Sequence, residues 1–174
     1  MSRRAYRGPA HACSHLLSIR ISGGKDYTRS EFIQRHKTSV DATIKTNAIR
    51  LNCQRELDSL VQRSSALTFA CLATIDGRNF ACATTSPAIS CERISAMTSS
   101  LLALSESLAK EALRSRCSYT ALSIEHGSII LVHIPTKART FTLATSGDQS
   151  ENIATMLRKT LDTAKSLAEI IDRD

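Results

Sequence analysis

Between Leu67 and Leu113 two β-type runs, an Asp-Gly turn and a long helical pattern follow one another with almost no spacer, and this order leaves few folds open. In the first run Phe69, Cys71, Ala73 and Ile75 alternate with Thr68, Ala70, Leu72 and Thr74, so neither face is strongly polar. A strand covered on both sides reads this way. Asp76-Gly77 supplies the positive backbone angles of a tight hairpin, and Asn79 to Thr84 returns antiparallel. Helices are therefore expected on both faces of whatever sheet contains this hairpin.

Ser86-Pro87 or Ser90 can open the helix that follows, because Ser caps free amides and Pro tolerates the first turn. The helical pattern runs to about Arg114. Ile94, Met97, Leu101, Leu104 and Leu108 step by three and four residues, the spacing of a seam that can meet another helix. Leu102, Ala109 and Leu113 form a second apolar strip, while Ser99, Ser100, Ala103 and Ser107 keep parts of the surface small. Two readings stay open: all these side chains pack on the sheet of one molecule, or one strip faces the sheet and the other a partner.

Upstream, Cys53, Leu57, Leu60 and Val61 mark one face of a helix from Asn47 to Gln62, with Asn47 as its N-cap. Downstream, three more strands are expected over Cys117 to Glu125, Ser128 to Ile134 and Arg139 to Ala144. Asp148 and Ser150 precede a last helix with the apolar stripe Ile153, Leu157, Leu161, Ala164, Ala168 and Ile171. The order is helix, two strands, helix, three strands, helix, which an antiparallel meander sheet with helices on both faces satisfies.

Three pieces of this pattern resemble the Roadblock/dynein light chain family: Ala73-Thr74-Ile75-Asp76-Gly77, Phe80-Ala81, and Ala96-Met97-Thr98-Ser99-Ser100-Leu101-Leu102-Ala103-Leu104. The resemblance extends from about Asn47 to Ile171. It implies an α+β sandwich: a five-stranded antiparallel sheet, the long middle helix on one face and the N- and C-terminal helices on the other. It also implies a non-enzymatic homodimer, paired through the middle helix and the neighbouring edge strand, that binds and regulates a small Ras-like GTPase. On that reading Phe80 and Cys82 lie near the seam with Ile94, Met97, Leu101, Leu104 and Leu108, and Arg93, Lys110, Arg114 and Arg116 form a charged rim. The alternative within the resemblance is a structural adaptor or scaffold dimer that regulates no GTPase.

With 174 residues and 42% hydrophobic content, the chain fits one domain of ordinary size plus an extra segment. Its net charge of +7 raises the question of nucleic-acid or anionic-surface binding. That charge is not spread evenly. Residues 1–46 hold nine Lys/Arg and three acids, whereas residues 47–174 hold 14 basic and 13 acidic side chains. The first 46 residues, broken by Gly8-Pro9 and Gly23-Gly24, are expected to be a basic, disordered extension, and residues 47–171 the roadblock-like domain. After Met1 the next methionine is Met97, so a shorter product beginning near Val40 would need a non-Met start codon. Tyr6, Tyr27 and Phe32 are too few and scattered for a base-stacking platform, so anion or nucleic-acid binding through the basic N-terminal arm stands as a lesser alternative to a protein partner.

The cysteines at 13, 53, 71, 82, 91 and 117 make no Cys-x-x-Cys pair and stand at no zinc-like spacing from His11, His15, His36, His126 or His133. Buried reduced thiols are expected, which favours the cytoplasm. No apolar run approaches the ~20 residues of a membrane span, and the Leu16 to Ile21 stretch is interrupted by Ser18 and Arg20, unlike a secretory signal. There is no Gly-x-Ser-x-Gly elbow, His-Glu-x-x-His or Rossmann fingerprint, and Gly23-Gly24-Lys25 lacks the rest of a phosphate loop. Asp76 reads as turn chemistry, Glu106 and Glu111 as a solvated helix face, and His133 as a strand histidine. No enzymatic activity, cofactor or metal is expected.

Overall fold

The computed structural model describes residues 19–20, 26–27, 29–137 and 140–173, with side chains from residue 43 onward. The chain divides after Ile44 into two units. In the first, β1 (Ile19–Arg20) pairs antiparallel with β2 (Asp26–Tyr27). Gly8-Pro9 and Gly23-Gly24-Lys25 lie outside the described residues. Helix α1 spans Arg29–Gln62, so it starts well before Asn47, which is not its N-cap. Residues 29–46 contain no Gly or Pro to stop a helix, yet carry no sustained apolar stripe, and a reading based on periodicity begins only where that stripe begins.

The second unit contains β3 (Leu67–Thr74), β4 (Asn79–Thr84), α2 (Cys91–Leu113), β5 (Tyr119–Ile124), β6 (Gly127–His133), β7 (Phe141–Asp148) and α3 (Ile153–Asp172). The five strands form one antiparallel sheet in the order β4-β3-β7-β6-β5. This is the expected α+β sandwich. Cys53, Leu57, Leu60 and Val61 of α1, with Met156, Ala164 and Leu167 of α3, pack on one sheet face against Ala70, Leu72, Ile130, Val132 and Leu143. On the other face Leu102 of α2 packs against Phe69, Cys71, Leu131 and Ala144. The central strands β3 and β7 are buried on both sides, which explains why β3 showed no polar face.

The hairpin turns where the Asp-Gly pair placed it. Gly77 adopts φ +85°, and its position a few ångströms from the Ala96 backbone leaves little space for a side chain beneath α2. Asp76 accepts a short hydrogen bond from the Thr74 hydroxyl and pairs with Arg78 at 3.0 Å. The Thr74 hydroxyl first, and Arg78 to a lesser degree, hold its carboxyl below the usual range. One irregularity follows: the β3–β4 register shifts between Leu72 and Ala73.

Helix α3 is capped by Asn152, whose side chain accepts from the Ala154 N–H at 2.8 Å, while Asp148 accepts from Ser150, and one detail of the helix differs from expectation. Its buried face is Met156, Thr160, Thr163, Ala164, Leu167 and Ala168, leaving Ile153 and Leu161 exposed. Thr160 enters the core because its hydroxyl is satisfied by the Met156 carbonyl and by Thr145.

The cysteines depart furthest from expectation. Cys82 and Cys91 are joined in a disulfide, whereas Cys53 and Cys71 are buried free thiols and Cys117 a half-buried one. The pair closes the link from β4 to α2. Sequence spacing alone carries no information on such a pairing, because connectivity depends on where the hairpin and the helix start are brought in space. The thiol argument for a reducing compartment therefore does not extend to these two. No described helix is long and apolar enough to cross a membrane.

Candidate functional site: the outward face of the middle helix

Helix α2 opens on Ser90, whose hydroxyl accepts from the Arg93 N–H, and closes on Arg114 in the left-handed conformation. Its buried residues are Ser95, Thr98, Ser99 and Leu102. Three of these four are small and hydroxylated, so the helix meets the sheet with its small side. Ser99 donates to the Thr74 carbonyl at 2.8 Å, and Ser95 satisfies itself on the Cys91 carbonyl at 2.8 Å. Ser100, Ser105 and Ser107 likewise donate to carbonyls one turn back, which satisfies their hydroxyls within the helix.

Leu102 is the one large side chain among the buried residues of α2, and Leu113, on the same strip, stands exposed at the helix end, whereas the seam residues lie on another side. Met97, Leu104 and Leu108 are 67–68% exposed, and Leu113 is 80% exposed. Ile94 and Leu101, the remaining members of the 3-4-3-4 seam, are half-buried. With Met97, Thr98, Phe69, Leu122, Ile129 and Leu131 they line an apolar cavity of about 170 Å³ between α2 and the β5–β6 side of the sheet. Burying one such side chain fully contributes ~1.5–3 kcal/mol. The single chain forgoes that contribution at several adjacent positions, which is unusual for scattered surface residues and typical of an interface.

The two sheet edges are not equivalent. At β4, the Gln54 side chain of α1 donates to the Cys82 carbonyl at 2.8 Å and accepts from the Cys82 N–H at 3.1 Å. That edge is occupied where a partner strand would pair. Strand β5 is the opposite edge, bordered among the described residues by β6 alone, and Leu122 joins it to the apolar cavity. An unpaired edge of this kind is a template for another strand.

Of the expected seam residues, Ile94, Met97, Leu101, Leu104 and Leu108 share one side of α2. Phe80 does not join them: it packs on the α1/α3 face, edge-to-face with Phe141 at a centroid distance of 4.9 Å. The register shift between Leu72 and Ala73 falls at Phe80 on β4, and Phe80 and Ala81 both lie against that core. Cys82 lies on the α2 side but is tied to Cys91 on a capped edge. Leu122 and Ile129 were not among the expected site residues. The signal was their place on the strands directly after α2, where Leu122 pairs with Ile129 across β5 and β6.

Arg93, Lys110, Arg114 and Arg116 are exposed, and among the described residues none takes part in an ion pair. Arg93 lies at the start of α2 and the other three cluster around its end. Glu106 accepts from the Cys117 N–H at 2.9 Å, which ties α2 to the approach to β5. Among the described residues no group of three His, Cys, Asp or Glu side chains is placed to hold a metal ion. Asp148, the exposed last residue of β7, resembles Asp76 in that hydrogen bonds, here from Ser150, lower its carboxyl.

No family model matches the sequence, and no curated protein matches it. Solved structures do. A Roadblock/LC7 domain from Streptomyces avermitilis is 18% identical, with a TM-score of 0.61 over 68% of this chain and 96% of that one. MglB from Myxococcus xanthus is 14% identical, with a TM-score of 0.63 over 71% of this chain and 90% of that one. The gliding protein MglB from Thermus thermophilus is 15% identical, with a TM-score of 0.62 over 73% and 93%. A further MglB structure, 16% identical with a TM-score of 0.63 over 72% and 92%, is described in a tetrameric arrangement. The chain has the roadblock fold.

Proposed function

Proceeding from the roadblock fold, we propose that this chain is a non-enzymatic regulator that forms a homodimer through the outward face of α2 and the β5 edge, and that the dimer binds a small Ras-like GTPase. One observation carries the reading: α2 seats itself on the sheet through Ser95, Thr98 and Ser99 and turns Met97, Leu104 and Leu108 outward. A symmetric pair buries this stripe against its copy and lets two β5 strands meet, the self-complementary arrangement of a two-fold interface. The tetrameric arrangement described for one MglB structure supports self-association of this fold.

The GTPase partner follows from the family resemblance. The rim of Arg93, Lys110, Arg114 and Arg116 supports it, being cationic and available to an acidic surface. Such a regulator acts by contact with its partner, in the cytoplasm, and contributes no catalytic group of its own. The test is capture from a lysate of the native host followed by nucleotide release from the captured GTPase, measured with and without the purified dimer. Altered release supports regulation. Recovery of a dimer whose partners include no GTPase favours the structural adaptor instead.

A further inference from the structure

We propose that Cys71, Cys82 and Cys91 form a thiol–disulfide exchange site, in which the sulfur of Cys82 passes between Cys91 at the start of α2 and Cys71 on the neighbouring strand. The proposal stands independently of dimerisation and of any partner.

Cys71 and Cys82 are direct partners across the β3–β4 ladder, and both side chains lie on the α2 face. The Cys82 N–H and C=O both turn outward to Gln54. Cys71 and Cys82 therefore form a pair that exchanges no backbone hydrogen bonds, and Cα atoms in such pairs stand ~4.5 Å apart, inside the ~4.4–6.8 Å that a disulfide spans. The bond present, Cys82–Cys91, spans a Cα separation of 6.1 Å. Cys82 is thus within bonding reach of two cysteines at once.

The Cys71 thiol is also held against the first turn of α2, where Cys91 sits. Its Sγ lies 3.1 Å from the Ser95 hydroxyl and 3.8 Å from the Cys91 carbonyl. It is fully buried, so its accessible reaction partner is this intramolecular disulfide. Cys91 is the first residue of α2, and a helix N-terminus stabilises the thiolate it becomes on leaving.

The step is balanced without an external oxidant. Cys71 loses its proton, its thiolate attacks Cys82 Sγ, and a Cys71–Cys82 bond forms as the Cys82–Cys91 bond breaks, so that the net step moves one proton from Cys71 to Cys91. The electron pair departs on Cys91 Sγ, which takes up a proton. Burial holds the Cys71 thiol above its ordinary value, with Ser95 opposing the rise and Glu92 adding to it. The product has β3 and β4 cross-linked and the first turn of α2 freed from its covalent tie to β4.

The test is a disulfide map of the full-length protein after equilibration in mixed oxidised and reduced glutathione, acid quenching, alkylation and digestion without reductant. Wild type is expected to give both Cys82–Cys91 and Cys71–Cys82 peptides. Cys91→Ser is expected to convert the second pair to the dominant form, with Cys71 and Cys82 both protected from alkylation, and Cys71→Ser to keep Cys82–Cys91 alone. Absence of the Cys71–Cys82 peptide from the wild-type map, or pairing of Cys82 with Cys53 or Cys117 instead, would overturn the proposal whether or not the variants fold.

Discussion

The Gln54 side chain grips both backbone groups of Cys82, donating to its carbonyl at 2.8 Å and accepting from its N–H at 3.1 Å. One amide thereby does for β4 what a sixth strand would do, and it fastens α1 to the rim of the sheet. The consequence for assembly is directional. With β4 capped, β5 is the edge at which the sheet can extend, and it is the strand that borders the apolar cavity beneath α2.

Gln54→Ala removes both bonds and leaves the Cys82 N–H and C=O without partners on a half-buried strand. The expected cost is ~1–3 kcal/mol, the usual penalty for a stranded polar group. Urea denaturation at fixed protein concentration measures it, and hydrogen exchange at the Cys82 amide should accelerate beyond the change seen in the central strands. An unchanged midpoint and unchanged Cys82 protection would show that water replaces the amide without loss.

Gly127 begins β6 with φ +153°, and a Cβ there would overlap the Gly147 carbonyl oxygen of β7. Because the obstacle is backbone in a paired strand, relief requires moving the ladder. Gly127→Ala is expected to lower stability by more than ~2 kcal/mol, well beyond the ordinary range for a surface substitution. A thermal midpoint within a degree or so of wild type would contradict the placement of this turn.

Burial, with a smaller contribution from Glu56, pushes the Cys53 thiol from its ordinary 9.0 up to about 11. A thiol ionises by losing a proton, so above 9.0 the unfolded chain is ionised at this position while the folded chain resists ionisation until about 11. Stability is therefore unaffected by Cys53 below 9.0 and declines across that window as pH rises. Denaturation of Cys53→Ala at several pH values is the check: the variant starts less stable but should lose stability less steeply through the window. Parallel slopes would remove Cys53 as a contributor.

Much of the architecture was legible because it rests on local rules. Leu67 to Thr84 announced a hairpin through Asp76-Gly77, and Ser90 announced the start of α2 through its cap. The seam on α2 was legible as a pattern but not as an orientation. Leu102 and Leu104 are equally apolar, yet one is fully buried and the other 67% exposed. What separates them is that Ser95, Thr98 and Ser99 flank Leu102 on the side that can approach the sheet closely. The Cys82–Cys91 bond and the Gln54 cap were not legible at all, since each joins residues whose proximity exists only after the sheet and helices have assembled. Phe80, which the resemblance put near the seam, lies instead on the α1/α3 face, at the register shift in the β3–β4 ladder that a resemblance in sequence does not reveal.

The central claim, that the outward face of α2 is a subunit interface, is tested most directly by light scattering of wild type and Leu104→Glu over a range of micromolar concentrations. Leu104 is exposed in the single chain, so the substitution leaves the core intact, and circular dichroism should be unchanged. Wild type is expected to give a dimer mass and Leu104→Glu a folded monomer. A wild-type monomer throughout the range, or a dimer that Leu104→Glu leaves undisturbed, would contradict the claim.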